Sequence, residues 1–250
     1  MPKIRADVLL TEKGLAPSRA RAQALILAGK VFVGDRRIDK GGQAIDADSA
    51  IEVRERDHPY VSRGGVKLAG ALDAFEYDPA GKTVADFGAS TGGFTDCVLQ
   101  RGAAKVFAID VGYGQLHNRL RQDSRVVNLE RTNARHVSRA HVQGAVDLVV
   151  IDASFIGLEK LLPSAMTVLG PGGDVIALVK PQFQVGPDQV GKGGVVRDLE
   201  VRREAVRALV RDAQEMGFER VAEADSVITG PKGNQETFIW LRRPEPEVAP

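Results

Sequence analysis

Two hydrophobic rhythms alternate along this chain and lay out its organisation. Unbroken apolar runs suit buried strands: Val84-Ala85 with Phe87, Val106-Phe107-Ala108-Ile109, Val126-Val127-Asn128-Leu129, Val146 to Ile151 and Val175 to Val179. Around them apolar residues return at helical spacing. Examples are Leu68, Leu72 and Phe75 behind a Ser62 cap, then Phe94, Val98 and Leu99, then residues 200–216. A further strand is read at Glu219 to Ile228, a hairpin at Thr229-Gly230-Pro231-Lys232-Gly233-Asn234, and a last strand at Glu236 to Leu241. Strands alternating with helices up to a closing hairpin predict a doubly wound α/β sheet of seven strands, the last one antiparallel.

Residues 3–56 follow a different pattern, that of a small α+β unit. Ile4, Val8, Leu9 and Leu10 predict a short helix, and Gly14 and Pro17 a turn. Ser18 then caps a second helix with Ala22, Leu25 and Ile26 on one side and Arg19 and Arg21 on another. Gly29 ends it; Val31-Phe32-Val33 and Ile51-Glu52-Val53 read as strands, with Gly34-Asp35 as a hairpin turn. Arg54 to Val61 is polar and contains Pro59. The expected organisation is a first domain at 1–56, a linker at 57–61, a second domain at 62–242 and a Pro- and Glu-rich disordered tail at 243–250.

Charge sharpens the contrast between the two parts. Lys and Arg total 34 against 33 Asp and Glu, a net +1 that argues for no polyanion partner. Residues 1–40, however, hold nine basic and four acidic side chains, an excess of five, so the rest carries about four net negative charges. A basic N-terminal part on a near-neutral chain points to nucleic acid, with a merely solvated charged face as the alternative. No apolar run reaches the length of a membrane span and Met1-Pro2-Lys3-Ile4 begins no signal peptide, so cytoplasm is the expected compartment and no membrane partner is expected. The single cysteine, Cys97, excludes an internal disulfide, and its place in a helical pattern favours core packing over a nucleophilic role. His58, His117, His136 and His141 show no metal spacing, and no metal is expected.

The stretch Val84 to Asp96, VADFGASTGGFTD, reads strand, glycine loop, helix. Missing Cβ atoms let a ligand approach the backbone, and the helix beyond offers free N–H groups. The dinucleotide fingerprint needs G-x-G-x-x-G, but Gly88-Ala89-Ser90-Thr91-Gly92-Gly93 lacks its second glycine; a P-loop needs a lysine that is absent. The loop resembles the D-x-G-x-x-x-G of an S-adenosylmethionine (SAM) pocket, fitting Asp86, Gly88 and Gly92, with Asp110 after the second strand placed for ribose hydroxyls. A glycine turn that only packs helix on sheet is the alternative. Gly186 to Gly193 nearly spells a second P-loop, but Gly193 stands where Ser or Thr must hold magnesium.

Asp86, Asp110, Asp152 and Lys180 all fall at the carboxyl ends of predicted parallel strands, where such sheets bind ligands. A lysine ending an apolar strand is unusual, because an ammonium is costly to bury without partners. Lys67, expected in the first turn of its helix, and Glu236, opening the last strand, complete a set of two amines and two acids. Neighbouring amines and desolvation lower a lysine's proton affinity, and a lysine so tuned can act as a general base for a ribose 2′-hydroxyl. The place used by an Asn/Asp-Pro-Pro-aromatic clamp for amine methylation reads Asp152-Ala153-Ser154-Phe155 here, without prolines. The alternative is that Lys180 and Glu236 form an ordinary surface ion pair. Residues 184–197, glycine-rich and following Lys180, are expected to close over the target.

Two resemblances carry this further. Ser18-Arg19-x-x-Ala22, Leu25-Ile26-x-x-Gly29-x-Val31-x-Val33 and Lys40 resemble the alpha-L RNA-binding motif of a small-subunit ribosomal protein, with Gly34-Asp35 where members often have Asn-Gly. It implies binding to structured RNA with Arg5, Arg19, Arg21, Lys30, Arg36, Arg37 and Lys40 against phosphates, although each is also readable as plain surface. Lys67, Asp152, Lys180 and Glu236 resemble the set of the FtsJ-type RNA 2′-O-methyltransferases. With the N-terminal motif, the chain resembles the TlyA family, whose members have also been labelled haemolysins. That likeness runs through Lys67, Asp86-Phe87-Gly88, Asp110-Val111-Gly112-Tyr113-Gly114, Asp152-Ala153-Ser154-Phe155, Lys180-Pro181-Gln182-Phe183 and Gln235-Glu236.

The resemblance implies a Rossmann-like SAM-dependent methyltransferase sheet behind a small α+β RNA-binding domain. It implies transfer to a cytidine ribose 2′-hydroxyl in small- or large-subunit rRNA, with rRNA or ribosomal subunits as partner and a monomeric chain. Asp86, Phe87, Gly88, Ser90, Thr91, Gly92, Gly93, Asp110, Asn133 and Asp152 would surround SAM, with Asn133 near the adenine. Lys180 would be the base, Asp152 and Lys67 would tune and orient it, and Glu236 would support the set. The competing reading is a non-enzymatic RNA-binding or membrane-active protein.

Overall fold

The computed structural model describes residues 3–34, 36–53, 58–191, 193–230 and 233–246. The chain divides into two compact units, Met1–Pro59 and Tyr60–Pro250. Asp35 of the expected first hairpin, residues 54–56 of the expected first domain, the first residue of the expected linker, Lys192 of the 184–197 loop, Pro231 and Lys232 of the expected closing hairpin and residues 247–250 of the expected tail lie outside the described residues.

The first unit contains β1 (Lys3–Arg5), α1 (Ala6–Glu12), α2 (Arg19–Leu27), β2 (Val31–Val33), β3 (Arg36–Arg37), β4 (Ala44–Asp46) and β5 (Ile51–Val53). Its core is Leu9, Leu10, Ala22, Ile26, Val31, Ile38 and Ile45 with their neighbours. Ile4 corrects the expected first helix: it sits in β1, paired with Ile45 of β4, so the helix starts at Ala6. A three-residue strand is too short to show an alternation, and the apolar run Val8 to Leu10 masks the boundary. Ser18 does cap α2, its hydroxyl accepting from the Arg21 amide at 3.2 Å. Asp7, fully buried, organises the polar side of this unit. Arg5 grips it side-on with bonds of 3.0 and 2.8 Å, and Gln23 donates at 2.8 Å. The Arg5 guanidinium holds the Asp7 carboxyl well below the usual carboxylate range against the opposing pull of burial.

The second unit runs α3 (Arg63–Ala74), β6 (Thr83–Phe87), α4 (Gly93–Gln100), β7 (Lys105–Ile109), α5 (Asn118–Arg121), β8 (Val126–Leu129), β9 (Val146–Ile151), α6 (Leu162–Val168), β10 (Leu169–Val179), α7 (Leu199–Glu215), β11 (Glu219–Asp225) and β12 (Thr237–Arg242). The seven strands lie in the order β11-β12-β10-β9-β6-β7-β8. The pairs from β8 through β10 are parallel, and β12 runs antiparallel to both β10 and β11. This is the expected doubly wound sheet. Its middle strands are buried on both faces, which is why they read as unbroken apolar runs.

Several boundaries differ from the expectation. β10 begins at Leu169 rather than Asp174, with a register shift between those residues across Gly170-Pro171-Gly172-Gly173. β11 stops at Asp225, and helix α6 was not read from the sequence. Ser62 occupies the N-cap of α3, but its side chain does not cap. Its hydroxyl instead faces Gly93, where a Cβ would come within 2.2 Å of it. Lys67 is the fifth residue of α3 and so opens its second turn, away from the dipole end.

One glycine of the loop is structural rather than ligand-facing. Gly92 caps α4 at φ 93° and ψ 28°, and a Cβ there would meet Leu120 at 2.2 Å and Leu116 at 2.8 Å. Gly92→Ala should combine left-handed strain of about 1–2 kcal/mol with overpacking of about 1–3 kcal/mol. A thermal melt of the variant should show a midpoint several degrees lower; an unchanged midpoint would contradict this account.

Candidate active site

The sheet's register builds the site. Phe87 of β6 pairs with Ile109 of β7 and Ile151 of β9, so Gly88, Asp110 and Asp152 each stand one residue beyond the same row. Val179 of β10 pairs with Thr237 of antiparallel β12, so Lys180 leaving β10 and Glu236 entering β12 meet at that same edge. The order of strands thus sets Glu236, Lys180, Asp152, Gly88 and Asp110 side by side. Lys67 reaches the edge from α3.

Two ion pairs result. Lys180 Nζ lies 2.7 Å from Asp152 Oδ1 and donates to Ser154 Oγ at 2.8 Å. Lys67 Nζ donates to Glu236 Oε2. Lys67, Lys180 and Glu236 are buried, with Glu236 only 1% exposed. This differs from an ordinary Lys180–Glu236 surface ion pair: Lys180 pairs with Asp152, Glu236 pairs with Lys67, and both lysines are largely buried. All four side chains line one cavity of about 550 Å³ together with Phe155, Phe183 and Asn234.

Two further hollows meet that cavity. A narrow one of about 170 Å³ is lined by Asp86, Gly88, Ser90, Thr91, Gly93, Asp152 and Lys180, among others. A wider one of about 470 Å³ is lined by Ser90, Asp110, Asn133, Asp152 and Phe155. Asp152 and Ser154 line all three, so the cleft is continuous and pivots on the end of β9. A larger groove of about 1190 Å³ lies between α7 and β11, and it contains none of these groups. Its Arg203, Arg207, Arg211 and Arg220 are paired with Glu200, Glu204 and Glu223.

The glycine-loop residues divide by role. Asp86 is fully buried and its Oδ2 accepts from the Thr95 amide at 2.9 Å and the Thr95 hydroxyl at 2.6 Å. Its Oδ1 is buried without a hydrogen-bond partner. Burial, reinforced by Asp152 and Asp110 and opposed by the Thr95 bonds, pushes the Asp86 carboxyl up to about 7. Asp110 accepts from the amides of Ser90 at 2.8 Å and Gly112 at 2.7 Å, which fixes its carboxylate at the cavity wall. Asn133 lines the same cavity while its Oδ1 accepts from the Arg135 amide. The Phe87 side chain packs in the core and Gly92 packs against Leu116 and Leu120; neither lines the cleft. Alternation along β6 sends Phe87 to the opposite face from Asp86.

Cys97 is buried, and burial pushes its thiol up to about 12, which leaves packing as its role. Among the described residues no group of three or more His, Cys, Asp or Glu is arranged to hold a metal ion. Phe155 was missed as a functional candidate. It is 91% exposed, holds a left-handed φ of 65°, and its ring stands 5.3 Å from that of Phe183. The signal was an aromatic residue three positions after the acid that ends β9. Ser154, which accepts from Lys180 Nζ, carries no signal of that role in the sequence.

The basic residues of the first unit scatter by environment. Arg5 is bound to Asp7, Arg19 reaches it at 3.5 Å, and Arg37 pairs with Asp39 at 2.7 Å. Arg21, Arg36 and Lys40 are exposed, and Lys30 is half-buried.

Residues 60–243 match the FtsJ-like methyltransferase family and residues 4–51 match the S4 domain. The chain is 48% identical over 241 residues to the 16S/23S rRNA (cytidine-2′-O)-methyltransferase TlyA of Mycobacterium tuberculosis, covering 96% of this chain and 90% of that protein. The chain belongs to the TlyA family. Hemolysin A of Brachyspira hyodysenteriae is 38% identical over 234 residues, covering 93% of this chain and 97% of that one. A solved structure from Streptococcus thermophilus that carries a haemolysin label superposes with a TM-score of 0.76 at 39% identity, covering 99% of this chain and 92% of that one. The chain is therefore a methyltransferase with an S4 domain ahead of its catalytic sheet. No described helix is long and apolar enough to cross a membrane.

Asp86 gives this site a pH signature. The unfolded carboxyl, at 3.8, sheds its proton earlier than the folded one at about 7, so between those values the folded protein binds more protons. Stability should therefore fall as pH rises through that window, by up to about 4 kcal/mol from this group. Asp86→Asn keeps an oxygen for Thr95 and removes the titration. Melting curves at pH 5 and pH 8 should show a smaller loss in the variant; equal losses would refute the assignment.

Proposed function

We propose that the protein transfers a methyl group from SAM to a ribose 2′-hydroxyl of ribosomal RNA, and that cytidine is the target. The observation that carries this reading is the pairing of Lys180 with Asp152 and Lys67 with Glu236 in one cavity, opening onto the glycine-loop cleft. The TlyA relative, with its (cytidine-2′-O) specificity on 16S and 23S rRNA, supports the finer assignment.

The cleft residues fit SAM. An orphaned buried oxygen on Asp86 faces the need of a cationic ligand. At Gly88 a Cβ would stand 3.1 Å from the Asp152 carbonyl, so only glycine keeps the backbone open there. Asp86, Ser90, Thr91 and Gly93 would take the amino-acid part, Asp110 the ribose hydroxyls, and Asn133 the adenine. When bound, SAM supplies an electrophilic methyl carbon on a sulfonium that leaves as a neutral thioether.

The ribose hydroxyl is a poor nucleophile until its proton is removed. With SAM bound, Lys180 in its neutral form would accept that proton at Nζ, leaving the 2′-oxygen as the nucleophile. Asp152 and Ser154 hold Nζ at 2.7 and 2.8 Å, fixing the direction from which it meets the hydroxyl. Asp152 then faces the ammonium that forms. Glu236 keeps Lys67 in place beside the acceptor, where the Lys67 ammonium favours the oxygen's developing negative charge. Phe155 and Phe183 present aromatic faces at the same cavity and support the target base by stacking. Exposed basic residues of the S4 domain, Arg21, Arg36 and Lys40 above all, contact RNA phosphates. A protein acting on rRNA works in the cytoplasm, as a monomer on this reading. The haemolysin label of some relatives goes with the same two domains and is not favoured as a function.

Two measurements test this. Tritiated methyl from SAM should reach rRNA, and Lys180→Ala should cut the rate by about 10²–10⁴ with SAM affinity unchanged by calorimetry. Retained transfer would remove Lys180 as the base, and reverse-transcription stops would map the modified ribose. Phe155→Ala should raise KM for RNA by roughly 5–150-fold, as expected for losing a stacked base worth about 1–3 kcal/mol. An unchanged KM would exclude the stacking role.

A further inference from the structure

Asn234 is buried, 2% exposed, in the turn that leads into β12. Its backbone carbonyl accepts from the Gly230 amide at 2.9 Å. Its side chain turns outward from it. Oδ1 accepts from the Val196 amide at 2.9 Å, and Nδ2 donates to the Gly194 carbonyl at 2.8 Å. The amide thus makes the two complementary bonds of a strand pair to the segment that follows Lys180. Gly194 and Asn234 both line the cavity that holds the two ion pairs. Two residues further on is Glu236, and at Gly230 a Cβ would press to 2.7 Å from Glu236 Oε1. The same short turn therefore packs against the catalytic-edge carboxylate at one end and grips residues 194–196 at the other.

We propose that Asn234 is a positioning residue of the acceptor pocket, holding residues 194–196 at a fixed distance from the Lys67–Glu236 pair so that the pocket fits one nucleotide of the RNA. This rests on the reading of that cavity as the acceptor site. The physical argument is geometric. Gly193 and Gly194 take φ 86° and 81°, a left-handed backbone that glycine allows, and among the described residues an isolated bridge joins Gly191 to Val195. Val196 is buried and the Gly194 amide donates to the Gly191 carbonyl at 3.0 Å, so the segment has a local turn of its own, and the Asn234 amide is what ties that turn to the residues before β12. The primary amide supplies both a donor and an acceptor at a spacing that no other uncharged short side chain matches. The donor hollow lies on the other side of Asp152 and Ser154 and shares no residue with this clasp.

The test compares Asn234→Ala, which removes both bonds, with the isosteric Asn234→Asp, which keeps the acceptor for Val196 and loses the donor to Gly194. Amide exchange at Val196, measured on the full chain without RNA, should quicken in the alanine variant and stay slow in the aspartate variant. With rRNA as substrate, the alanine variant should show KM raised roughly tenfold or more, the sum of two hydrogen bonds of ordinary strength. Its kcat and its calorimetric SAM affinity should stay within about twofold, the limit set by treating the clasp as acting on RNA binding alone. The aspartate variant should fall between, and it keeps the test usable if alanine prevents folding. A fall in SAM affinity parallel to the KM change would mark a merely structural residue and overturn the proposal. Unchanged KM with quickened exchange would also overturn it. Wild-type protein that leaves rRNA unmethylated would instead remove the acceptor reading, and the proposal with it.

Discussion

The structure of the second unit depends on two lysines whose charges have been taken out of water and given back as ion pairs. Burying an ammonium alone is prohibitive, and a buried pair offsets that cost only when the geometry is good. Here the geometry is a by-product of strand register. Val179 facing Thr237 makes Lys180 and Glu236 neighbours, and Phe87 facing Ile151 puts Asp152 beside the glycine loop. Removing a single partner would leave an uncompensated charge, a loss of about 3–5 kcal/mol for a buried pair. The cluster is therefore tied to the fold as tightly as any apolar contact in the core.

Much of this was legible in the sequence, and for a definite reason. A parallel strand covered on both faces must be apolar along its whole length, so β6, β7, β9 and β10 stand out as runs, and a charged residue ending such a run stands out in turn. Asp152 and Lys180 were visible in that way. Lys67 and Glu236 were weaker signals, since one lies inside a helix and the other opens a strand after a turn, and the family likeness reinforced them. How the four divide into pairs could not be read, because it depends on α3 approaching the sheet edge from outside the register.

What stayed hidden was local. Ile4 belongs to a strand of only three residues, Gly92 packs where a ligand contact was expected, and Phe87 faces the core because alternation along β6 is strict. Phe155 shows the opposite failure. An aromatic residue beside apolar neighbours reads as core, yet its left-handed backbone turns the ring into solvent. Asn234 sits in a polar turn that looks unremarkable as a string of letters. Its importance comes from the two backbone groups forty and thirty-eight residues away that it meets.

The placement of β12 has a temporal consequence. It comes after every other described strand in sequence, yet it lies inside the sheet, between β10 and β11, rather than at a border. While the polypeptide is being made, N-terminal portions condense first. Until β12 is made, β10 has an unfilled flank, β11 has no strand to pair with, and the Lys67 amine on α3 lacks Glu236. Docking of the final segment ends all three deficits at once. Maturation of the sheet and arming of its chemistry are a single event, so an incompletely translated molecule has neither.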